Sequence, residues 1–564
     1  MNSKYNYLLI IGLGILFYIP FLGTTHLFDW DEINFAESAR EMIVTKNYAI
    51  VQINYQPFWE KPPLFFWLQV LSMQVFDVFN PDGYFSPEFG ARFPNAVVGI
   101  ITLLVLYTIG KKMHNSKFGL LWVLGYVGSL TPHLYFKSGI IDPTFNLFIF
   151  LGIWFTSKIF NSSVTHSNLP SSSENATFKS PHEKRKNVFL AGFFIGLAVL
   201  TKGPVGGLIW GITIFLFWGL NRFNIKWLSH NLKAILSIIL WAVLIACLWF
   251  GLSIYQSGWL LFVEFIQYQI RLLTTGDAGH EQPFYYHFLV VLIGCFPMSI
   301  FAIKYLFKRQ NLHDNRLGDV EIFQKLMFVL FWGVMILFTI VKTKIVHYSS
   351  MAWFPLSYMA TMYVYELSEN KKSWNRWLTF GLLFIGILLG VILTAVPLAG
   401  QYSNLITPYI KDPFAVQNLQ AKVVWNGWER YIGIVFLIGV IIFVLKKKII
   451  QIYLLLSFTI LIYSALVIPK IEGYTQRTAI SFYESLRGKD VYIEPLGFKS
   501  YAQLFYFQKP RPTKIFQENE LLNTKKLDKP AYFIMKIDSD STLKAHPNLE
   551  LIREENGFLF YRHR

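Results

Sequence analysis

The sequence predicts an all-α polytopic membrane protein of about thirteen transmembrane helices, followed by a small α/β domain. Of its 564 residues, 54% are hydrophobic and only 15% are charged, whereas about a quarter of a soluble domain is charged. The apolar residues form continuous runs of roughly 18–22 residues, the length that a helix needs to cross a bilayer. These runs stop after residue 468, where short β-rich stretches and turn residues follow.

The apolar runs are continuous rather than alternating, which favours helices over the strands of a membrane barrel. We therefore assign residues 1–468 to a transmembrane domain. The predicted spans have the approximate limits 6–23, 94–110, 118–135, 143–160, 188–201, 205–220, 233–254, 285–306, 325–341, 349–366, 377–397, 431–446 and 448–468.

The basic residues between the spans predict the orientation. With the amino terminus inside, every inner connection carries Lys or Arg, as the positive-inside rule requires. This distribution accounts for much of the net charge of +17 without a nucleic-acid partner, and it puts the carboxyl terminus outside. The basic positions are Lys111, Lys112, Lys117, Lys184, Arg185, Lys186, Arg222, Lys226, Lys308, Arg309, Lys371, Lys372, Arg376, Lys446, Lys447 and Lys448.

Two long segments lie outside the predicted spans. The first outer loop, residues 24–93, contains two predicted helices, 33–44 and 64–79, which we expect at the membrane interface. The second segment, residues 469–564, predicts a small outer α/β domain. Its strands are expected at 490–494 and 531–537, a helix at 498–507, and a hairpin over 549–561 that turns at Asn556-Gly557.

Several cations sit on the outer side, where the positive-inside rule disfavours them. Ionisable groups close to the bilayer are energetically expensive, so they suggest a function. Arg and Lys side chains that converge on one surface are suited to binding a phosphate. The alternative is that each side chain snorkels or contacts a lipid headgroup. These cations are Arg40, Lys61, Arg92, Lys202, Arg271, Lys342 and Lys344.

Acidic residues are predicted on the same side. Asp29, Asp31 and Glu32 follow span one, Glu60 precedes Lys61, and Asp142 opens span four. A carboxylate at this surface can act as a general base that deprotonates an acceptor hydroxyl, while cations stabilise a departing phosphate. The alternative for Asp31 is that it caps the following helix.

These motifs resemble a known family. Asp31-Glu32 with its continuation through residues 34–41, Glu60-Lys61-Pro62, and the stretch 200–204 are similar to GT-C-type polyprenyl-phosphate-sugar glycosyltransferases. The closest resemblance is to the lipid A aminoarabinose transferases and to the bacterial relatives of protein O-mannosyltransferases. It extends over essentially the whole chain, and its most specific motifs lie in the first 100 residues and around Lys202.

The resemblance implies a GT-C fold in the inner (cytoplasmic) membrane, with the active site and the C-terminal domain on the periplasmic side. It implies inverting transfer of a sugar from a polyprenyl (undecaprenyl) phosphate carrier to a lipid A-like lipid or a protein acceptor. Asn34 stands where the aminoarabinose transferases usually carry arginine, which weakens the case for that particular sugar or acceptor.

The resemblance also implies roles for individual residues. Asp31 becomes the candidate base, with Glu32 beside it in the motif and Asp142 as a second outer acid. The residues implied to bind the carrier phosphate are Lys61, Lys202, Arg271, Lys344 and Tyr348.

A metal is a further expectation of the aminoarabinose branch. There Glu60 would join a histidine, for which His280 or His287 is available, and such ligands suit zinc or manganese. The alternative is that His280 is structural and bonds to the backbone of its loop. We expect no metal to be required, because Lys and Arg can neutralise the departing phosphate.

A membrane transporter or lipid flippase is the alternative function. Transporters usually keep their polar sites near the midplane and show repeated halves. Here the candidate charges gather at the outer ends of the spans, and no second half mirrors the first. A structural scaffold would leave this charge cluster unexplained.

Overall fold

The computed structural model describes residues 3–161, 181–274, 282–307, 318–512, 518–524 and 526–564. The first part of the chain is helical apart from one two-stranded ribbon. Its elements are α1 (Ser3–Tyr18), α2 (Asp31–Thr45), β1 (Gln52–Ile53), β2 (Gln56–Pro57), α3 (Leu64–Val75), α4 (Pro87–Met113), α5 (Ser116–Val127), α6 (Leu130–Tyr135), α7 (Asp142–Asn161), α8 (Pro181–Lys202) and α9 (Val205–Leu220).

The middle of the chain continues as helices, with two short 3₁₀ helices at Val346–Ala352 and Thr407–Tyr409. The α-helices are α10 (Ile225–Ser257), α11 (Leu260–Thr274), α12 (Tyr286–Gly294), α13 (Met298–Leu306), α14 (Asp319–Ile340), α15 (Trp353–Ser368), α16 (Arg376–Gln401), α17 (Ser403–Ile406), α18 (Pro413–Asn418), α19 (Arg430–Leu445), α20 (Ile449–Leu466) and α21 (Ile468–Thr475).

Polar residues start several of these helices. The side chains of Asn115, Asn224 and Asn375 accept hydrogen bonds from the first backbone N–H groups of α5, α10 and α16. These N–H groups have no partner inside their own helix, so the caps define where each helix begins. The helices pack side by side in pairs such as α7 with α8, α8 with α10, and α16 with α19.

The apolar helices establish an integral membrane protein. Every predicted span coincides with a helix or with a broken pair, α5 with α6 or α12 with α13. Within the described residues, six helices are long and apolar enough to cross a bilayer on those grounds alone. Their outward faces carry exposed apolar side chains, such as Leu236 and Leu240 on α10 and Phe380 and Phe384 on α16. The number of crossings remains a prediction.

The first outer loop differs from expectation in one respect. Helices α2 and α3 form near the predicted positions, but residues 32–42 of α2 are buried within the protein. Polar side chains such as Glu37 and Glu41 are fully covered. The position of the helix at the membrane interface stays a prediction, but its polar face packs against protein and does not face water. Arg40 shows how: it donates to Glu37 and to the backbone oxygen of Lys509 in the C-terminal region.

The C-terminal region contains a four-stranded sheet of order β3-β4-β6-β5, in which β3 is parallel to β4 and the other neighbours are antiparallel. The hairpin turns at Asn556-Gly557, where both residues have positive φ, so the strands and turn lie where expected. The elements are α22 (Arg477–Ser485), β3 (Tyr492–Pro495), α23 (Ala502–Phe505), α24 (Glu518–Asn523), β4 (Ala531–Lys536), α25 (Ser541–Lys544), β5 (Leu549–Glu555) and β6 (Phe558–His563).

Alternation along the strands gives this sheet two apolar faces. Ile534 and Phe560 belong to the core that is continuous with the helices, whereas Phe533, Leu559 and Tyr561 form a separate small cluster. Successive strand residues point to opposite faces, so β4 and β6 each contribute to both cores. The sheet is thereby joined to the helical part through one face.

Gly433 allows the close approach of α19 to α16. A Cβ atom at this position would collide with the backbone of Leu393 and Thr394, which cannot move aside as a flexible side chain can. We expect Gly433→Ala to destabilise the protein by roughly 1–3 kcal/mol, measured as a lower midpoint of thermal unfolding in detergent. Gly211→Ala on α9 is the control, since nothing lies within 4 Å of its added methyl. Equal midpoints for both variants would contradict this account of the packing.

Candidate active site

A polar cavity of about 380 Å³ lies where the ends of several helices meet. Its wall combines the start of α2, the turn before α3, the start of α7, the end of α8, part of α11, the first 3₁₀ helix and a loop before α23. The side chains that line it are Phe28, Asp29, Trp30, Asp31, Glu32, Asn34, Phe35, Phe58, Glu60, Lys61, Ile140, Ile141, Asp142, Lys202, Tyr268, Arg271, Thr343, Ile345, His347, Tyr348, Lys499 and Tyr501.

Lys202 and Asp142 form an ion pair in this wall. Lys202 is the last residue of α8, and Gly203 turns the chain into α9 with a φ of +87°. A side chain at residue 203 would be strained by that φ and would meet the ring of Phe265 at 2.8 Å. The tight turn therefore delivers the ammonium group to the start of α7, where Asp142 is buried.

Asp31 faces the same cavity and contacts His347. The two are 3.3 Å apart, from Oδ2 to Nε2, and the Asp31 side chain is 40% exposed. Burial by itself raises the pKa of Asp31, but the hydrogen bond with His347 and the charges of Lys61 and Lys202 outweigh it and lower that pKa below its usual 3.8. Asp31 is consequently ionised at neutral pH.

Tyr268 of α11 brings two further cations together. The Lys61 ammonium lies 3.4 Å from the Tyr268 hydroxyl, and the Arg271 guanidinium lies 5.1 Å from the centre of the same ring. Burial lowers the pKa of Lys61, with Lys202 acting in the same direction, against the opposing effect of nearby acids such as Glu60. An incoming anion would relieve this mutual repulsion of cations.

An apolar groove of about 310 Å³ adjoins the polar cavity. Its wall is mostly apolar, and α9 and α14 supply much of it through side chains such as Val205, Leu208 and Leu337. The Lys202 ammonium sits at the junction, 4.8 Å above the ring of Tyr348. The side chains that line both spaces are Lys61, Asp142, Lys202 and Tyr348.

Glu32 lines the cavity but its carboxylate is occupied. Arg92 donates to both of its oxygens at 2.9 and 2.8 Å, and the backbone N–H groups of Phe28 and Gly139 donate at 3.0 and 2.6 Å. Both side chains of the pair are at least 90% buried. These contacts give Glu32 a structural part in holding the loops together, while its expected part in the chemistry stays a prediction.

Most of the predicted site residues meet in this cavity: Asp31, Glu32, Glu60, Lys61, Asp142, Lys202, Arg271 and Tyr348. Lys344 does not line it, because its ammonium turns back to the backbone oxygen of Val341 at 2.9 Å. The structure therefore does not bring Lys344 together with the other predicted phosphate-binding residues. His280 lies outside the described residues.

The candidate metal ligands do not form a cluster within the part of the chain that the structure describes. There, no group of three or more His, Cys, Asp or Glu side chains converges. Glu60 faces the cavity, while His287 is buried in α12 and does not line it. His280, the histidine expected to join Glu60, lies outside the described residues, so the metal expected at this pair stays a prediction.

Sequence reasoning missed His347, Tyr268 and Lys499. His347 adjoins Tyr348 in a stretch that drew attention only to the tyrosine and the lysine. Tyr268 lies one helical turn before Arg271, so helical spacing could have paired the two. Lys499 comes from a region more than 400 residues from Asp31, and no local pattern connects them.

Comparisons with known proteins point to the same polyprenyl-phosphate-sugar glycosyltransferases that the sequence motifs resemble. The family described as dolichyl-phosphate-mannose-protein mannosyltransferase matches residues 60–167. An undecaprenyl phosphate-α-4-amino-4-deoxy-L-arabinose arabinosyl transferase of Wigglesworthia glossinidia brevipalpis is 26% identical over 64% of this chain, and one of Edwardsiella ictaluri is 25% identical over 64%. The crystal structure of ArnT from Cupriavidus metallidurans bound to undecaprenyl phosphate superposes with a TM-score of 0.72 at 14% identity, covering 100% of this chain and 98% of that one.

The chain is thus similar to polyprenyl-phosphate-sugar glycosyltransferases, and the resemblance drawn from its motifs is confirmed. It shares its fold with the ArnT structure. The aligned part spans 59% and 60% of the length of the two arabinosyl transferases named above. A fold hosts more than one chemistry, so the chemistry depends on this chain's own side chains.

The Glu32–Arg92 pair gives a stability prediction. Glu32→Gln leaves the buried guanidinium of Arg92 without a counter-charge, so we expect a loss of roughly 3–5 kcal/mol, seen as a large drop in the midpoint of thermal unfolding in detergent. Asp31→Asn is the matched control on the neighbouring residue, and its midpoint should shift little because Asp31 is 40% exposed. The assignment fails if Glu32→Gln unfolds at the wild-type temperature.

Proposed function

We propose that this protein is an inverting glycosyltransferase that moves a sugar from a polyprenyl phosphate carrier to an acceptor on the outer, periplasmic side of the inner membrane. The observation that carries the proposal is the junction between two spaces of opposite character. A polar cavity with acids and cations opens onto an apolar groove, and Lys61, Lys202 and Tyr348 line both. A lipid-linked phosphate needs that combination.

The donor fits this junction in one direction only. An isoprenoid tail is apolar, so it belongs in the groove between α9 and α14, beside Leu208 and Leu337. The phosphate would then lie at Lys61 and Lys202, with Tyr348 able to donate a hydrogen bond. The sugar, attached to the phosphate on the side away from the tail, would enter the polar cavity towards Asp31.

The chemistry follows from the charges around that position. The acceptor hydroxyl attacks the anomeric carbon, and Asp31 accepts its proton. The bond from the anomeric carbon to the phosphate oxygen breaks, and the electron pair leaves on the phosphate. Lys61, Lys202 and Arg271 stabilise the charge that develops there. A single displacement on the face opposite the phosphate inverts the anomeric centre.

Asp142 and His347 contact the side chains that bind phosphate and accept the proton. Asp142 pairs with Lys202 through one oxygen, and its other oxygen lies 3.8 Å from Nε2 of His347. His347 in turn contacts Asp31. We assign Asp142 to holding Lys202 in place and His347 to orienting the Asp31 carboxylate towards the acceptor.

The remaining features belong to the same proposal. Thirteen crossings would put the cavity and the C-terminal region on one side of the bilayer, since Asp31, Lys61 and Asp142 all follow outward crossings. A lipid A-like lipid or a protein would approach from that side. The two arabinosyl transferases support a lipid-linked pentose donor. Asn34, which stands where those transferases usually carry arginine, weakens the case for the same sugar.

The direct test is transfer of radiolabelled sugar from a polyprenyl-phosphate donor to membrane lipids or proteins in proteoliposomes. We expect Asp31→Asn to lower kcat by roughly 10²–10⁴-fold, the usual contribution of a general base, while the protein still inserts and folds. Asp77→Asn, in an exposed turn of the first outer loop, is the control and should transfer at the wild-type rate. Full activity of Asp31→Asn would overturn the base assignment, and carrier-lipid translocation without sugar transfer would favour a flippase.

The contact with His347 generates a pH prediction. Protonation removes Asp31 as a proton acceptor, so activity falls as the pH drops through the pKa of Asp31, which in the wild type lies below 3.8. The variant His347→Ala loses the hydrogen bond that lowers the pKa of Asp31. The effect of burial, which raises this pKa, then has less to counteract it, so the pKa of Asp31 rises. We expect the acidic limb of the kcat profile to move to higher pH. His546→Ala, an exposed histidine on another surface, should keep the wild-type profile, and coincident profiles for His347→Ala would refute this role.

A further inference from the structure

We propose that Ser500, in the C-terminal region, is a positioning residue for this active site. Its hydroxyl holds Asp29, and through Asp29 it sets where the chain enters α2 and therefore where the Asp31 carboxylate points. This inference rests on the proposed function. It gives the C-terminal region a part in positioning the catalytic carboxylate.

The contacts concentrate on residues 29 and 30. Ser500 donates to Oδ2 of Asp29 at 2.5 Å, and the backbone N–H of Tyr501 donates to Oδ1 at 3.4 Å. The indole N–H of Trp30 donates to the backbone oxygen of Lys499 at 3.3 Å. Three consecutive residues of the C-terminal region are thus hydrogen-bonded to the two residues that precede Asp31.

The same loop also forms part of the cavity wall. Lys499 and Tyr501 line the cavity together with Asp29 and Trp30. The Lys499 ammonium lies 4.6 Å above the Trp30 ring, an additional attraction between the same two segments. The C-terminal loop is therefore adjacent to the reacting groups as well as bonded to their support.

Helix α2 depends on these contacts because no side chain caps its own N-terminus. Its N-cap residue is Trp30, whose side chain carries a donor and no acceptor, so it cannot cap the first N–H groups of the helix. Ser500 is buried, and its hydroxyl also accepts from the N–H of Ala502 at 3.1 Å. The hydroxyl is thus held in one orientation, towards Asp29.

A small displacement of Asp31 is costly for catalysis. A general base has to lie within hydrogen-bonding reach of the proton that it accepts. A misplacement of about 1 Å by a mutation away from the chemistry can cost about 10²-fold in rate. Donor binding relies on Lys61, Lys202 and Tyr348, which belong to other segments. Loss of the Ser500 hydroxyl should therefore affect kcat much more than KM for the donor.

The experiment measures kcat and donor KM for Ser500→Ala, Ser500→Thr and wild type in the proteoliposome transfer assay. We expect Ser500→Ala to lower kcat roughly 10- to 100-fold with donor KM within about threefold of wild type. Ser500→Thr restores the hydroxyl and should recover most of kcat. Ser485→Ala is the matched control, because Ser485 lies in the same region and its hydroxyl donates to the backbone oxygen of Phe482 within its own helix α22.

A double-mutant cycle tests the route through Asp29. If Ser500 acts through Asp29, the double variant Ser500→Ala/Asp29→Ala loses no more kcat than Asp29→Ala alone. Hydrogen–deuterium exchange of a peptide covering residues 28–34 gives a readout independent of turnover. Faster exchange of this peptide in Ser500→Ala, with unchanged exchange in the helices of the bundle, is the expected result.

The outcomes separate the two proposals. Wild-type kcat in Ser500→Ala, additive losses in the cycle, unchanged exchange of residues 28–34, or a Ser500→Thr variant as slow as Ser500→Ala would each overturn the positioning role. If wild type transfers sugar and Asp31→Asn does not, the proposed function stands in spite of such a result. If wild type transfers no sugar, the proposed function and this inference both fail.

Discussion

The buried ion pair between Glu32 and Arg92 is the interaction on which the rest of the site depends. Arg92, near the start of α4, also donates to the backbone oxygens of Leu22, Thr25 and His26 after α1. Glu32 accepts from Gly139, three residues before Asp142. One pair of charges therefore joins three segments that are far apart in sequence: the loop from α1 into α2, helix α4, and the connection at Gly139. Charges of this kind are costly to bury singly, so the pair is stable only when these segments are in place.

Much of the fold could be predicted from the sequence because its determinants are local. The length of each apolar run and the basic residues between the runs indicate the helices one by one, without knowledge of their neighbours. The alternation along β4 and the turn at Asn556-Gly557 are local in the same sense. The environment of α2 could not be predicted this way. Its polar residues suggested a surface facing water, whereas their partners lie on other segments, as with Arg40 and the backbone of Lys509.

The candidate site, like the fold, has features that local sequence predicts and features that depend on distant segments. The sequence alone predicts one common side of the membrane for Asp31, Lys61, Asp142 and Lys202, since Lys61 lies in the loop after span one and the other three lie near the ends of spans. The direction of a side chain could not, and Lys344 illustrates this: it is close in sequence to Tyr348, yet its ammonium bonds to Val341. The pairing of His347 with Asp31 likewise depends on how the 3₁₀ helix is placed against α2, which no spacing rule specifies.

The separation of polar cavity and apolar groove also bears on what the C-terminal region contributes. A sugar attached to a phosphate is susceptible to attack by water as well as by the acceptor, so a transferase gains from a cavity that admits the acceptor and limits water. The loop at Lys499 and Tyr501 supplies a part of the cavity wall that the helices do not. Both residues also bond to the segment that precedes Asp31, through the Trp30 indole and the Asp29 carboxylate. Ala502 and Phe505, which follow this loop, belong to the apolar core that is continuous with the helices, so apolar packing holds the loop beside the cavity as well as its hydrogen bonds do.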